Sequence, residues 1–567
     1  MFLSKPSIDH LALITVVTGS LLLGTVNAWA QQPQRPTAPP VREGEIDNQE
    51  ITIEKNRKIE MPPANRLFNK IPSIKPSTGQ RKLTYEFNDR PLSVGDPKLS
   101  PTALPLPAAQ AEQQNLFNNY VKAGAGNYGS FYGEAFGSGQ VLDNVSVDGS
   151  FKHLSSSIGP VDGKNSATSE NRIKLNGNYQ TDAFKLSANL GYDREAFYFY
   201  GYRRPQEIDR QTIRQKLTTT QFRIGIENVD PDKNIDYSLK TGVTNLADNY
   251  EATELDWGTN LKASVGISDN FVALLAADAY ITQRSDGPVD NRNLFRVKPT
   301  FKYSNSFLTA TFGVNAVSET DKRLNVNRTR AFPVVDLDVV PTGNIHFFAG
   351  VDGDINRNTL RTFLSENRWL APQVTLANTE KTWDLYAGSK GELGSGISYE
   401  GKVSYARYRN FYGFNNTWPD TSRFFVVYDG NRTHVLTVTG QIGYTYKEVF
   451  RSTLRADFYD YTLSRMEAAW HRPTLSGSWS NSFIVNKKLF ITADLYHYQG
   501  MQGKNFVTNQ IVTLQPIWDV NLKIDYFLGK QVSAFVSLNN IIGRNYQRYL
   551  YYPQQGLNFL GGLSYSF

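Results

Sequence analysis

The chain has 567 residues, no cysteine, a net charge of +7 and only 20% charged residues. The missing cysteine excludes disulfide frameworks, zinc–thiolate sites and thiol nucleophiles. Positive charge scattered along the whole length argues against a nucleic-acid footprint. Abundant Gly (43), Ser, Thr and Asn, with 33 Phe, 31 Tyr and 8 Trp, point to an all-β protein.

Residues 1–30 read as a secretory signal peptide. Lys5 lies in a short polar start, Leu11 to Val26 is an apolar run, and Ala28-Trp29-Ala30 supplies the small residues around a cleavage point. Cleavage after Ala30 leaves Gln31 as the mature N-terminus. An uncleaved anchor is the alternative, for which the run is short. No cysteine follows the cleavage point, so a lipid anchor there is excluded. Beyond Val26 no run is long and apolar enough for a spanning helix, so the mature chain is either soluble outside the cytoplasm or a β-barrel.

Residues 31–115 hold 13 of the 26 prolines. That density prevents both helices and central strands, so this segment is predicted to be an extended periplasmic arm. Two short alternating pieces within it, Glu50-Ile51-Thr52-Ile53-Glu54 and Lys82–Phe87, suit strand addition to a partner's sheet edge.

From about Asn119 a period-2 pattern sets in, and residues 116–567 are assigned to a barrel. Ile173, Leu175 and Tyr179 alternate with Lys174, Asn176 and Asn178. After a turn at Gln180-Thr181-Asp182, Phe184, Leu186 and Leu190 alternate with Lys185, Ser187 and Asn189. The same pattern recurs at Leu308–Val314, Leu436–Tyr444 and Val520–Tyr526. It recurs again at Val532–Leu538, where Phe535 interrupts the polar face. About 20 residues per strand and connection, over about 22 strands, matches tilted membrane strands better than a soluble sandwich. Long connections are expected at Tyr192–Gln211, Asp354–Thr375, Phe411–Ser422 and Gln499–Thr508. Aromatic girdles are expected at Phe197–Tyr200, at Phe458-Tyr459 with Tyr461, and at Tyr549 with Tyr551-Tyr552.

The last strand carries the fold assignment. Phe559, Gly561, Leu563, Tyr565 and Phe567 share one face, and Phe567 is the final residue. A barrel ends on such a strand because its last strand closes on its first. The fold class is therefore a transmembrane antiparallel β-barrel with an extended N-terminal arm, in the outer membrane and in contact with its lipid.

Motifs for chemistry are sparse. Gly124-Ala125-Gly126-Asn127-Tyr128-Gly129 matches the dinucleotide fingerprint formally, but a strand follows where a helix would be needed. The mature histidines, His153, His346, His434, His471 and His497, show no metal-ligand spacing and are expected in the lumen or the loops. A barrel hydrolase with Ser, His and acidic residues on neighbouring strands is beyond what spacing can test. The reading is nonetheless no enzyme, no cofactor and no metal. Arg203 and Arg204 follow an aromatic run, and Arg407 and Arg409 alternate with Tyr405, Tyr408 and Phe411. These four are candidate rim contacts to anions or lipid headgroups.

The closing stretch, Leu538-Asn539-Asn540-Ile541-Ile542-Gly543-Arg544-Asn545-Tyr546 and then Tyr552-Pro553 through Phe567, resembles the C-terminus of TonB-dependent receptor barrels. Their final segment reads as an N-L-x-N-x-x-Y penultimate strand, a loop, and a last strand ending in an aromatic. The resemblance implies that Phe559, Leu563, Tyr565 and Phe567 form the signal read by the outer-membrane insertion machinery. Asn119–Gly129 is similar to the first strand of plugless relatives, and Glu50–Glu54 resembles a TonB box. The 85 Pro-rich residues before the barrel are too few and too broken for such a receptor's folded plug. The resemblance implies a transport channel or receptor for solutes. The alternative is a non-transporting component of an outer-membrane complex, docking a TonB-like or other periplasmic protein through residues 31–115. A channel implies open, charge-ringed walls; a scaffold implies bulky loops folded inward.

Overall fold

The computed structural model describes residues 118–204, 207–230, 234–286 and 289–567. The signal peptide, the Pro-rich segment, the missing plug and the candidate partner strand Glu50–Glu54 are expectations that lie outside these residues.

Twenty-two antiparallel strands form one closed sheet. The first, Tyr120–Gly126, pairs on one side with Ser130–Leu142 and on the other with the last, Asn558–Ser566. Asn119 and Phe567 exchange backbone hydrogen bonds of 3.3 and 3.0 Å beyond the final pair. Closure leaves no unpaired edge, the condition for a sheet to stand in hydrocarbon.

Alternation sorts the two faces. Ile173, Leu175 and Tyr179 are exposed, as are Leu186 and Leu190 across the turn where Gln180 pairs with Lys185. The positions between them face the lumen and carry ion pairs. Examples are Lys122 to Asp525 at 3.1 Å, Arg296 to Asp278 and Asp354 at 2.7 and 2.8 Å, and Lys381 to Asp352 at 2.7 Å. Phe559, Leu563, Tyr565 and Phe567 all point outward and are 45–59% exposed.

Phe535 has a structural reason to break its polar face. It lies over the closing seam, where Gly124 pairs with Gly562. A Cβ on Gly124 or Gly562 would sit 2.7 or 2.6 Å from the ring. Lys122 Nζ lies 4.0 Å above the same ring, and Tyr132 meets it edge-on at 5.9 Å. The glycine motif therefore serves seam packing. Gly126 is equally constrained, since its Cβ would fall 2.0 Å from Phe559 O.

Both described chain ends lie at one end of the barrel, together with short turns such as 143–144, 181–183, 269–270 and 343–344. The long connections 157–167, 199–213, 357–378, 410–432, 463–474, 500–516 and 540–557 lie at the other. In outer-membrane barrels the short turns are periplasmic and the long loops external.

Several expectations need correction. Strand Phe184–Tyr198 runs past Tyr192, because its outer residues still pair with Arg214–Lys216. The penultimate barrel strand is Val532–Asn539; Asn540 has a left-handed φ of 45° and opens the loop 540–557. Phe458 faces outward, as a girdle residue must, but Phe197, Phe199, Tyr200, Tyr549 and Tyr552 do not: all are buried inside the loop end. His153, His434 and His497 pair in register with outward-row residues and face neither lumen nor loop.

Candidate functional site

The long loops fold over the barrel mouth and build a second, aromatic core. Four loops supply it. Trp369 stacks on Tyr552 at 4.1 Å between ring centroids, and both meet Tyr200, at 5.8 and 4.7 Å. Phe424 meets Tyr549 and Tyr552 at 5.4 and 5.7 Å.

A short helix, Leu360–Glu366, forms the floor of this cap. Thr359 is its N-cap: its Oγ1 accepts from Thr362 N at 3.1 Å, and Thr362 Oγ1 accepts from Thr359 N at 2.8 Å. The free N–H groups of Leu360 and Arg361 donate to the Glu254 carboxylate at 2.7 and 3.2 Å, tying the helix to the wall. Leu360, Phe363 and Leu364 are buried in the cap, while Arg361 and Ser365 on the other face are exposed.

Three polar residues bind the loops to one another. His471 accepts from Leu550 N at Nε2 (3.0 Å) and donates from Nδ1 to Phe414 O (2.7 Å). Burial lowers its pKa to about 4, so it is neutral. Asp429 accepts from the backbone N–H groups of Ser464, Arg465 and Met466 at 2.6–2.8 Å, and from Thr433 Oγ1. Burial alone would raise the Asp429 pKa; these hydrogen bonds outweigh it and hold the carboxyl at about 2. Arg472, almost fully buried, donates to Tyr412 O at 2.7 Å and packs on the Phe411 and Tyr412 rings.

Beneath the cap lies a cavity of about 270 Å³. Glu170, Arg172, Asp193 and Glu195 of the lumen wall form one side; Arg368, Trp369, Tyr546 and Arg548 of the loops form the other. Its charges are largely paired, Arg368 with Glu170 at 3.3 Å and Arg172 with Asp193. The Trp369 Nε1–H is buried with no hydrogen-bond partner among the described residues. A second cavity of about 250 Å³ lies on the lumen wall among Arg296, Lys298, Asp352, Asp354, Arg357 and Lys381. Among the described residues no group of three or more His, Asp or Glu is arranged to hold a metal ion.

The structure does not gather the four candidate rim arginines. Arg204 turns back to Tyr200 O at 2.7 Å, and Arg203 stays in the same loop. Arg409 lies 3.8 Å from Glu380. Arg407 alone faces outward, between Trp383 and His434 in register, with the Tyr405 ring stacked on His434 at 5.5 Å. Sequence reasoning offered inward-folded loops as one alternative but did not identify the residues that build this cap. Its signal is the spacing of aromatics within segments too irregular to alternate.

No protein-family model matches the chain, and no curated protein does. Solved structures do match. The FrpB iron transporter from Neisseria meningitidis superposes with a TM-score of 0.65 at 10% identity, over 80% of this chain and 82% of that one. The pyoverdine outer-membrane receptor FpvA from Pseudomonas aeruginosa gives 0.61 at 11%, over 81% and 79%. The ferric-catecholate import receptor Fiu from Escherichia coli K12 gives 0.61 at 9%, over 80% and 82%. The shared feature is the 22-strand barrel of TonB-dependent outer-membrane receptors.

Proposed function

We propose that this chain is an outer-membrane transport channel or receptor for solutes, held shut at its external mouth by its own loops. The observation that carries the reading is the contrast between the two ends of the lumen. The wall is polar and ion-paired, as a solute path requires. The mouth above it is closed by an aromatic cap of its loops, with the cavity at its floor as the place where a solute would be held. The names of the similar structures, all transporters or receptors, support the same class. We further assign residues 1–30 to a signal peptide and residues 31–115 to a periplasmic arm that engages a partner through Glu50–Glu54. Phe559, Leu563, Tyr565 and Phe567 are assigned to the insertion signal.

The cap also favours a second reading, a non-transporting component of an envelope complex, because inward-folded loops are what a scaffold needs. Planar-bilayer recording separates the two. The full chain is expected to be mostly closed, and Trp369→Ala with Tyr552→Ala to give large steady conductance steps. Silence from both, in protein shown to be folded by heat-modifiable gel migration, would sink the channel reading in favour of the scaffold. Steps that appear only on removing residues 31–115 would make that segment the gate instead of the cap.

A further inference from the structure

Ser155, His153 and Asn171 form a hydrogen-bonded chain on the barrel's outer wall. His153 Nε2 lies 3.0 Å from Ser155 Oγ, and His153 Nδ1 lies 2.7 Å from Asn171 Oδ1. An amide oxygen only accepts, so Nδ1 carries the proton. Nε2 then presents its lone pair to the Ser155 hydroxyl. The order is nucleophile, base and orienting group, the relation that activates a serine on unrelated folds.

Strand geometry produces it. Residues 153 and 155 share one face of Val145–Ser156, and Asn171 stands opposite His153 on the neighbouring strand Thr168–Gln180. That face is the lipid-facing one: Phe151 and Ile173 on it are 42% and 40% exposed, and Phe131, opposite Ser155, is 53% exposed. His153 and Ser155 are the last outward residues of their strand before the external loop 157–167, level with Phe131 at the outer end of the apolar face. In an outer-membrane barrel the loop end of the wall meets the outer leaflet, and the acyl esters of lipids lie between hydrocarbon and headgroup. Arg194, opposite Asn171 on the next strand, is outward and exposed and makes no ion pair among the described residues. It supplies a cation for the phosphate of the same lipid. Neither the cap nor the lumen uses any of these four residues.

We propose that this chain is also an acyl-ester hydrolase of outer-leaflet lipids, with Ser155 as nucleophile, His153 as general base and Asn171 holding the imidazole. Ser155 Oγ attacks the ester carbonyl carbon while its proton passes to His153 Nε2. The C–O bond to the glycerol oxygen breaks, and His153 returns the proton to that oxygen, releasing the lysolipid and leaving an acyl–Ser155 ester. Water, deprotonated by His153, attacks this ester, freeing a fatty acid and restoring the serine. No redox partner is needed. The proposal requires the outer wall to face the outer leaflet and is independent of whether the lumen conducts.

The full chain, purified and folded in detergent, is assayed for fatty-acid release from phosphatidylethanolamine mixed micelles, and separately for labelling by a fluorophosphonate. The expected result is release that falls at least about 100-fold in Ser155→Ala and in His153→Ala, with a smaller loss in Asn171→Ala. Ser169→Ala, which removes the hydroxyl facing Ser155 across the ladder, is expected to leave release unchanged. The fluorophosphonate adduct is expected on Ser155 by peptide mass. The wild-type adduct tests the serine even if a variant fails to fold. Release that survives Ser155→Ala, or a folded wild type with neither release nor adduct, overturns the proposal. Cleavage of a soluble p-nitrophenyl ester without any cleavage of lipid overturns the assignment of the substrate.

Discussion

Trp369 and Tyr552 lie ring against ring, 4.1 Å apart between centroids and tilted by 32°, although they belong to different external loops. Both are almost fully buried, and their contact joins the loop that carries the helix Leu360–Glu366 to the loop that leads into the last strand. The cap therefore has an aromatic core of its own making, continuous at its edge with Phe197, Leu217 and Leu246 of the strands below.

Trp369→Ala should open that core. Removing a buried aromatic of this size costs about 3–5 kcal/mol, and the loss should fall mainly on the loops, since the rings Trp369 meets are Tyr200, Tyr549 and Tyr552. Hydrogen exchange should rise in 357–378 and 540–557 while the strands stay protected. Equal exchange in wild type and variant would show that the cap does not depend on this contact.

His471 should make the cap sensitive to mild acid. Its folded pKa of about 4 lies below the ordinary imidazole value, so the unfolded loop binds more protons in between. Stability from this group is full above about pH 6.5, falls as pH drops towards 4, and changes no further below that. The total is about 3 kcal/mol. Loop exchange measured at pH 7 and pH 5 should differ in wild type, and the difference should shrink in His471→Asn.

Asp429 should act in the opposite range. With its pKa held at about 2, its contribution is present above the ordinary carboxylate value and is lost only as pH falls through about 2. Between pH 5 and 8 it is constant. Asp429→Ala leaves three N–H groups without this acceptor, that of Met466 buried, a loss on the order of 2 kcal/mol. Limited proteolysis should then cut within 463–474, where wild type resists.

The seam offers a compensation test. Gly124→Val places carbon where the Phe535 ring lies and should lower the yield of folded barrel, read by heat-modifiable migration. Phe535→Ala leaves a void and should cost about 3–5 kcal/mol. The double variant Gly124→Val with Phe535→Ala should recover part of the yield. A double variant worse than either single would mean the two sites do not share the space.

The barrel was legible in the sequence because its face pattern has period 2, and a membrane wall enforces that pattern on every strand. Ile173, Leu186 and Leu563 had to be apolar whatever their neighbours, so each strand announced itself alone. The cap was not legible. Phe199, Trp369, Phe424 and Tyr552 come from segments without period, and only the closed sheet brings them to one mouth. The aromatic runs at Phe197–Tyr200 and Tyr549–Tyr552 read from sequence as a girdle at the lipid boundary, since composition cannot say which way a loop folds. Phe535 stood out as an exception in its strand, yet its explanation needed Gly124 from the opposite end of the chain. His153, Ser155 and Asn171 were unreadable together for the same reason: register, not spacing, makes them neighbours.

The wall is not uniform in height. The seam strands Tyr120–Gly126, Val532–Asn539 and Asn558–Ser566 have 7, 8 and 9 residues, against 16 and 17 for Val289–Ser304 and Val326–Thr342. Each interstrand joint is a row of backbone hydrogen bonds, so a joint between short strands has less shear strength than one between long strands. Under radial load from a cargo too large for the lumen, or under lateral tension in the membrane, the hoop should yield first at the joints with the fewest pairs, Ile517–Phe527 with Val532–Asn539 and the bulged Val326–Thr342 with Ile345–Asn356, each held by six.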